Sequence, residues 1–209
     1  MTHQPAISFS NSFQRPFNVA GGRTSNVSQE MIPTLRTAKV TLSPFRVTDA
    51  PLVQQYAGHS EIARTTQHVP HPYLDGVAEK WIAAHLLQYL EKTNVVLAVR
   101  SHLDELLGAI NLGIRVADKM AELRYWIAVP FWGQGYCTDA ARRMIQYGFE
   151  KLNLNKIYAR HLGGNFASGR VMEKAGMIKE GIQRQHTMKN GILTDIVEYS
   201  ILRSEYSRA

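Results

Sequence analysis

The sequence predicts an α+β fold, in which a mixed and mostly antiparallel β-sheet is flanked by helices. Two hairpins account for the antiparallel part: β-rich runs on either side of residues 101–105, and a second pair of runs around Asn190-Gly191, a strong signal for a two-residue hairpin turn. Segments with apolar residues at helical spacing separate these hairpins and supply the flanking helices.

The predicted elements begin after residue 34 and rest on apolar residues that recur with period 2 in strands and at helical spacing in helices. In chain order they are a strand over 40–46, helices over 50–58 and 75–91, strands over 95–100, 106–112 and 121–129, a helix over 139–152, a strand over 156–161, a helix over 165–175, and strands over 182–188 and 193–202. Pro70 and Pro72 disfavour helix at the residues before them, so 68–73 is predicted to be a loop. Asn165 is predicted to cap the last helix, and Gly176 to end it.

The chain is predicted to be one domain over 34–209 behind a flexible tail over 1–33, because the first 33 residues are mainly polar and lack an apolar period. The 209 residues, 44% hydrophobic and 20% charged, suffice for one well-buried core but not for two full domains. A single cysteine excludes an internal disulfide. Because the sequence shows neither a secretory signal nor an apolar stretch of about 18 residues, we expect a cytoplasmic protein that does not enter a membrane.

The net charge of +7 favours an anionic partner, which could be a nucleic acid, a membrane surface or a phosphorylated cofactor. No dense run of lysine or arginine occurs, so the charge is diffuse. The absence of a clustered basic stretch argues against a nucleic-acid ligand.

The most informative segment is 130–138, which carries Gly133 and Gly135 and leads directly into a predicted helix. A glycine loop that opens a helix presents unpaired backbone N–H groups and the positive end of the helix dipole, which together form a phosphate cradle. Thr138 stands where a dinucleotide-binding loop requires a third glycine. The segment also lacks the Gly-Lys-Ser/Thr ending of the P-loop that binds nucleoside triphosphates. The sequence therefore predicts a phosphorylated cofactor of another kind.

This loop resembles the acetyl-coenzyme A loop of the GCN5-related N-acetyltransferases (GNAT), in particular the RimJ/RimL branch that modifies ribosomal-protein N-termini. Six positions match the pattern of that branch: Trp132, Gly133, Gly135, Tyr136, Thr138 and Ala140. Cys137 replaces the usual alanine or glycine, and Asp139 replaces glutamate.

Two further motifs follow in the order of that family. Asn165, Ser168, Lys174 and Gly176 match an Asn-x-x-Ser-x-x-x-x-x-Lys-x-Gly pattern, and the segment from Asn190-Gly191 to 201 is similar to the family's closing strand pair. Together the three motifs span roughly residues 35–203. The resemblance implies a twisted sheet that splays between strands 4 and 5, and a loop and closing hairpin that form the acceptor pocket.

The resemblance also implies acetyl-CoA as cosubstrate, with no metal, and assigns its contacts. Main chain at the end of strand 4 would meet the pantetheine arm and thioester, and loop N–H groups would meet the pyrophosphate. The cofactor-binding residues predicted in this way are Ile127, Ala128, Val129, Trp132, Gly133, Gln134, Gly135, Tyr136, Cys137, Thr138, Asn165 and Ser168.

Two residues are predicted to be catalytic. Many GNAT enzymes carry a tyrosine acid seven residues after the motif asparagine, but Met172 stands there, so Ser168 is the candidate proton donor, with plain helix capping as the alternative. Glu122 is the candidate base, although Arg124 occupies the glycine position of the family pattern. A cross-strand ion pair at Glu122, and deprotonation through ordered water, both stay open.

The expected reaction is direct transfer of the acetyl group to a primary amine in a ternary complex, most simply a protein or peptide N-terminus. A small-amine acetyltransferase acting on a polyamine or an antibiotic, and a non-catalytic CoA-binding module, are the alternatives. A homodimer stays open. His68, His71, His161 and His186 lack metal-ligand spacing and are expected in loops or at the surface, and Cys137 is expected only to fill a small position in the loop.

Overall fold

The computed structural model describes residues 31–206, and within this range eight strands form one mixed sheet. The strands are β1 (Leu35–Arg36), β2 (Thr41–Ser43), β3 (Asn94–Arg100), β4 (Leu106–Arg115), β5 (Met120–Ile127), β6 (Lys156–Leu162), β7 (Ile178–Lys189) and β8 (Ile192–Leu202). Their order is β1-β2-β3-β4-β5-β6-β8-β7, and every neighbouring pair is antiparallel except β5 with β6. The predicted α+β class and mostly antiparallel sheet are confirmed.

Helices cover both faces of the sheet. They are α1 (Ala50–Ala57), α2 (Ser60–Thr65), α3 (Val77–Ala83), α4 (His85–Leu90), α5 (Tyr136–Glu150), α6 (Phe166–Lys174) and α7 (Arg203–Tyr206). Alternate residues of β3 separate the faces: Leu97 and Val99 pack with α5 in the main core, whereas Ala98 packs with α1 and α3. No helix among the described residues is both long and apolar enough to cross a membrane.

The predicted splay is confirmed at the β5–β6 pair, which corresponds to strands 4 and 5 of the sequence prediction. The two strands pair only from Met120 to Glu122 of β5 and from Lys156 to Tyr158 of β6. Beyond that point β5 continues to Ile127 along β4, while β6 continues along β8. The backbone groups of β5 that face β6 therefore have no ladder partner there, and a wedge opens between the strands.

Three segments differ from the sequence prediction. The helix expected over 75–91 is two helices, α3 and α4, joined at Ala84. The first long strand is only Thr41–Ser43, preceded by the short β1, and the unpredicted helix α2 follows the cap His59, whose side chain accepts a hydrogen bond from the Glu61 N–H. Capping by histidine is not among the usual signals, which is why the sequence did not predict α2.

The predicted loop over 68–73 is confirmed, since no helix or strand is present between α2 and α3. Of the predicted tail over 1–33, all but residues 31–33 lies outside the described residues.

Candidate active site

A cavity of about 1020 Å³ occupies the wedge between β5 and β6 and reaches both faces of the sheet. One half is bordered by the glycine loop and the first turns of α5 and α6, and we call it the cofactor half. The other half is bordered by α1, α2, the loop over 66–73 and the outward side chains of β5 and β6, and we call it the acceptor half. The cavity is therefore continuous across the splayed strands.

The structure brings most predicted cofactor residues to this cavity. Those that line it are Ile127, Trp132, Gly133, Gly135, Tyr136, Cys137, Thr138, Asn165 and Ser168. Ala128, Val129 and Gln134 are not among the lining residues. The N–H of the fully buried Ala128 donates to the Leu107 carbonyl, and the Ile127 carbonyl accepts the indole N–H of Trp132 at 2.5 Å.

The glycine loop has the conformation that its glycines permit. Gly133 and Gly135 have φ angles of +77° and +82°, and Gly135 is the N-terminal cap of the 15-residue helix α5. Side-chain space at Gly133 is open, so nothing covers the backbone there. The N–H groups of the first turn lack intrahelical acceptors, and the helix dipole favours negative charge at this end, so the loop fits a pyrophosphate.

A lysine far away in sequence lies against this loop. The Lys39 Nζ donates to the Gln134 carbonyl at 3.1 Å, and it is also 3.1 Å from the position that a Cβ on Gly135 would occupy. The Lys39 N–H donates to the Asp139 carboxylate at 3.0 Å, and the Thr37 hydroxyl donates to the same group. The β1–β2 turn thus places an ammonium group beside the phosphate cradle, a contact that no local motif could indicate.

Asn165 and Ser168 begin α6 at the edge of the wedge. The Asn165 side chain accepts the Ser168 N–H at 3.1 Å, which confirms the predicted cap, and donates to the Thr65 carbonyl at the end of α2 at 3.0 Å. Asn165 therefore ties α6 to the helix that borders the acceptor half.

Tyr125, which the sequence did not single out, lies beside Ser168. Its phenol oxygen is 2.9 Å from the Ser168 Oγ and 3.1 Å from the Ser168 carbonyl oxygen. The phenol has one proton: if the carbonyl takes it, the serine must donate to the tyrosine, and if the Ser168 Oγ takes it, the serine proton is free for another acceptor. The pair is therefore a short relay whose outer proton can face the cavity.

Burial keeps two groups of the cofactor half protonated. It raises the pKa of the Tyr125 phenol and the pKa of the Cys137 thiol far above their usual ranges. Cys137 is thus a neutral thiol with little nucleophilic character, although it stands beside the cofactor loop.

Glu122 lies in the acceptor half, and each of its oxygens accepts a guanidinium. One oxygen pairs with Nη2 of Arg124, two residues along β5, and the other accepts Nε and Nη2 of Arg160 on β6 at 3.1 and 3.0 Å. The carboxylate side chain is only 8% exposed. The cross-strand ion pair that the sequence left open is present, whereas the role of Glu122 as a base stays a prediction.

One expectation for the histidines is wrong. His161 lies in strand β6, 7% exposed, with its Nδ1 2.8 Å from the Leu162 carbonyl and its ring against Tyr199. His161 occupies an inward position of β6, in line with the buried Ile157 and Ala159. Among residues 31–206, no three His, Cys, Asp or Glu side chains are grouped as metal ligands would be.

Comparison with known proteins agrees with this geometry. The family described as "Acetyltransferase (GNAT) domain" matches residues 39–178. An uncharacterized N-acetyltransferase of Bacillus licheniformis, p20, is 27% identical over 177 residues, 83% of this chain and 98% of its own.

Two solved structures with coenzyme A share the fold. A ribosomal L7/L12 α-N-protein acetyltransferase in complex with coenzyme A superposes with a TM-score of 0.73 at 16% identity, covering 81% of this chain and 98% of its own. The spermidine N-acetyltransferase of Vibrio cholerae, in complex with CoA and spermine, superposes with a TM-score of 0.70 at 22% identity, covering 80% and 98%. At these identities the likeness shows the fold alone. Because the matched family covers most of the chain, and a wedge with a phosphate-binding loop underlies the match, the chain belongs to the GNAT family and is an acetyl-CoA-dependent N-acetyltransferase.

Proposed function

We propose that the protein acetylates the N-terminal amine of a peptide or protein by direct attack on acetyl-CoA in a ternary complex. The observation that carries this proposal is the continuous cavity, with a glycine loop suited to phosphate in one half and an open space lined by apolar and charged side chains in the other. An amine that enters through the acceptor half meets the thioester without leaving the cavity. Such an arrangement replaces a bimolecular encounter by an oriented one, which is a large part of the rate enhancement in acyl transfer.

The residues of the cofactor half fit acetyl-CoA. The N–H groups after Gly135, with Lys39 beside them, would hold the pyrophosphate, and Arg170 and Lys174 on the lining of α6 supply further positive charge. The pantetheine arm would pair with the free edge of β5 in the wedge. When bound, the thioester supplies an activated acetyl group.

Ser168 is our candidate donor of the proton that the departing thiolate requires. Its hydroxyl lines the cavity, and the Tyr125 phenol can replace the proton that it gives. The high pKa of Tyr125 keeps the relay loaded at neutral pH.

The amine must lose a proton before or during attack, and we propose that water takes it. Both oxygens of Glu122 already accept charge-assisted hydrogen bonds, so this carboxylate has a structural task. Glu122 is nevertheless the one carboxylate among the described lining residues, and it stays the alternative proton acceptor.

The charge of the lining favours a peptide over a polyamine. In the acceptor half, Glu122 is the one acid among the described lining residues, and it faces Arg124 and Arg160. Arg64 is paired with Glu61 and adds no net charge. A polyamine with several ammonium groups would be repelled, and this cavity lacks the acidic side chains that would neutralise it.

The test is thiol release from acetyl-CoA by the purified full-length chain, with N-terminal peptides, spermidine and an aminoglycoside as acceptors, and with CoA binding titrated in parallel. We expect turnover on peptides, confirmed by mass spectrometry of the acetylated N-terminus. Turnover restricted to the polyamine or the aminoglycoside would replace the proposed acceptor, and CoA binding without turnover on any amine would leave only a CoA-binding module. The cytoplasmic location, the tail over 1–33 and a homodimer stay predictions.

A further inference from the structure

We propose that the acceptor half contains an anion-binding subsite formed by Arg124 and Arg160 with His68 beside them, so that the acceptor amine carries a carboxylate or phosphate group. This inference rests on the proposed function and makes its acceptor class narrower. The shared chemistry is an anion that a guanidinium pair can bind, whether it comes from an acidic side chain or from a phosphoryl group.

Arg124 and Arg160 together carry more positive charge than their acidic partner neutralises. Glu122 contributes one negative charge to two guanidinium groups, so the cluster of Glu122, Arg124 and Arg160 has a net charge of about +1 at neutral pH. Arg64, by contrast, is matched by Glu61 at 2.6 Å. The surplus is therefore located at the junction of β5 and β6 and not spread over the whole acceptor half.

Arg124 and Arg160 also have hydrogen-bond donors that Glu122 does not use. A guanidinium has five N–H donors. Arg160 uses Nε and Nη2 for Glu122, and Arg124 uses Nη2. Among the described residues, the Nη1 of Arg160 and the Nε and Nη1 of Arg124 have no hydrogen-bond acceptor, and both side chains line the cavity. A bound carboxylate or phosphate would occupy these donors in the bidentate geometry that guanidinium groups favour.

The cluster of Glu122, Arg124 and Arg160 is held in place without any ligand. Glu122 is 8% exposed and ties β5 to β6, and the Arg160 guanidinium also stacks over the Tyr158 ring at 5.6 Å. The Arg160 side chain is only 26% exposed. Donors that are fixed and partly shielded bind an anion better than mobile surface lysines, because less side-chain freedom is lost on binding.

His68 adds a neutral donor at the same place. Burial lowers the pKa of His68, and the positive charges of Arg124, Arg160 and Lys189 lower it further, while Glu122 acts in the opposite direction. His68 lines the cavity from the loop that follows α2. Its imidazole can therefore face the arginines without adding charge repulsion, and can donate one N–H to an anion.

Arg124 is also one of the positions at which the chain departs from the patterns it resembles, here one that has glycine before Tyr-Trp. A glycine there would leave the wedge wall without this cation. Arg124 projects from the same face of β5 as Trp126, and this face is covered by α1 and α3. The arginine therefore points to a property of this chain's own acceptor and not to acetyl-CoA binding.

The experiment compares kcat/KM for peptides that differ only in charge near the N-terminus: Ser-Glu against Ser-Gln, Ser-Asp against Ser-Asn, and a phosphoserine against a serine at the second position. We expect the wild-type protein to prefer the anionic member of at least one pair by about tenfold to a hundredfold, the range of a charge-assisted hydrogen bond. A preference within the Glu/Gln or Asp/Asn pair indicates that the subsite binds a carboxylate, and a preference within the phosphoserine/serine pair indicates that it binds a phosphate.

Arg124→Gln and Arg160→Gln should each bring that ratio close to one, with CoA affinity unchanged. Arg115→Gln is the matched control, because Arg115 also lies in a strand of the sheet and is paired with an acid, Asp118 at 2.5 Å, but does not line the cavity. A wild-type ratio of one for every pair, or a preference that both variants keep, would overturn the subsite.

A second measurement separates this inference from the proposed function. With CoA saturating, the melting temperature is recorded against inorganic phosphate and against N-acetylated Ser-Glu, in the wild type and in Arg124→Gln. If phosphate or N-acetylated Ser-Glu raises the melting temperature of the wild type but not of Arg124→Gln, the subsite is supported. If no peptide is acetylated in that case, only the proposed function fails. Peptide turnover without any charge preference and without anion stabilisation overturns the subsite alone.

Discussion

The two halves of the cavity present different kinds of groups. The cofactor half presents main chain, namely the N–H groups after Gly135 and the free edge of β5, together with a few side chains such as Ser168. The acceptor half presents side chains from separate segments, such as His68, Arg124 and Arg160. Main-chain recognition needs glycines and a helix start at fixed spacing, so it leaves a local motif, whereas side chains that converge from distant strands and loops leave none.

The largest effect is expected where the cofactor half is most constrained. Gly135→Val should abolish detectable CoA binding, because the new side chain would fill phosphate space beside Lys39 and would also be strained at φ +82°. Isothermal titration with CoA measures this. Gly191→Val is the matched control, since Gly191 has φ +77° in the β7–β8 turn, with open side-chain space. An unchanged CoA affinity in Gly135→Val would remove the loop assignment.

The second-largest effect is expected for the relay of Ser168 and Tyr125. Ser168→Ala should lower kcat by about tenfold to a hundredfold, because the thiolate loses its proton donor, while KM for acetyl-CoA changes little. Tyr125→Phe should cost less, since the serine keeps its own proton, and the double variant should be no worse than Ser168→Ala because the two groups act in series. Full activity in Ser168→Ala would leave the Ser168 hydroxyl with only its hydrogen bond to Tyr125.

The sequence predicted the cofactor half better than the acceptor half. Gly133, Gly135 and Asn165 lie where local patterns placed them, and the hairpin signals predicted the β3–β4 and β7–β8 pairs. Lys39 was missed because its contact with Gln134 joins residues 95 positions apart. The break between α3 and α4 was missed because Ala84 is itself a good helix former and gives no local stop signal.

A third prediction concerns Glu122, which either holds the two arginines in place as an ion-pair partner or acts as the base that deprotonates the amine. Glu122→Gln should raise the acceptor KM by about tenfold, because Arg124 and Arg160 lose the ion pair that orients them. The low-pH limb of kcat/KM should stay where it is. If that limb moves or disappears, Glu122 is the base and water is not the acceptor of the amine proton.

A fourth prediction concerns the stability of the helices that cover the acceptor half. His85 at the start of α4 is 3% exposed, packs against Trp81 and Phe45, and has neither ring nitrogen hydrogen-bonded among the described residues. Burial lowers the pKa of His85 to about 4. Because the folded state disfavours the charged ring, the stability is fully present above the unfolded pKa of about 6.5 and is lost as the pH falls toward 4.

The loss should be about 2 kcal/mol between pH 7.5 and pH 5, or roughly 4–8 °C in melting temperature. His85→Leu should reduce this pH dependence, since the leucine cannot be protonated. His186→Gln, on the exposed side of β7, serves as the control and should keep it. An equal fall in the His85→Leu protein would mean that other groups cause the acid sensitivity.

The smallest effect is expected at Cys137, although it lines the cofactor half of the cavity at the start of α5. Direct transfer needs no acyl-cysteine, and burial raises the pKa of this thiol so far that almost no thiolate exists at neutral pH. Cys137→Ala should therefore keep activity within about threefold, since alanine fits the same small position and preserves the helix start. Steady-state turnover with the preferred peptide measures it, and Ser168→Ala on the same wall of the cavity provides the contrast. A loss greater than a hundredfold would require a covalent role for the cysteine, and the cofactor half would then act through a side chain as well as through its backbone.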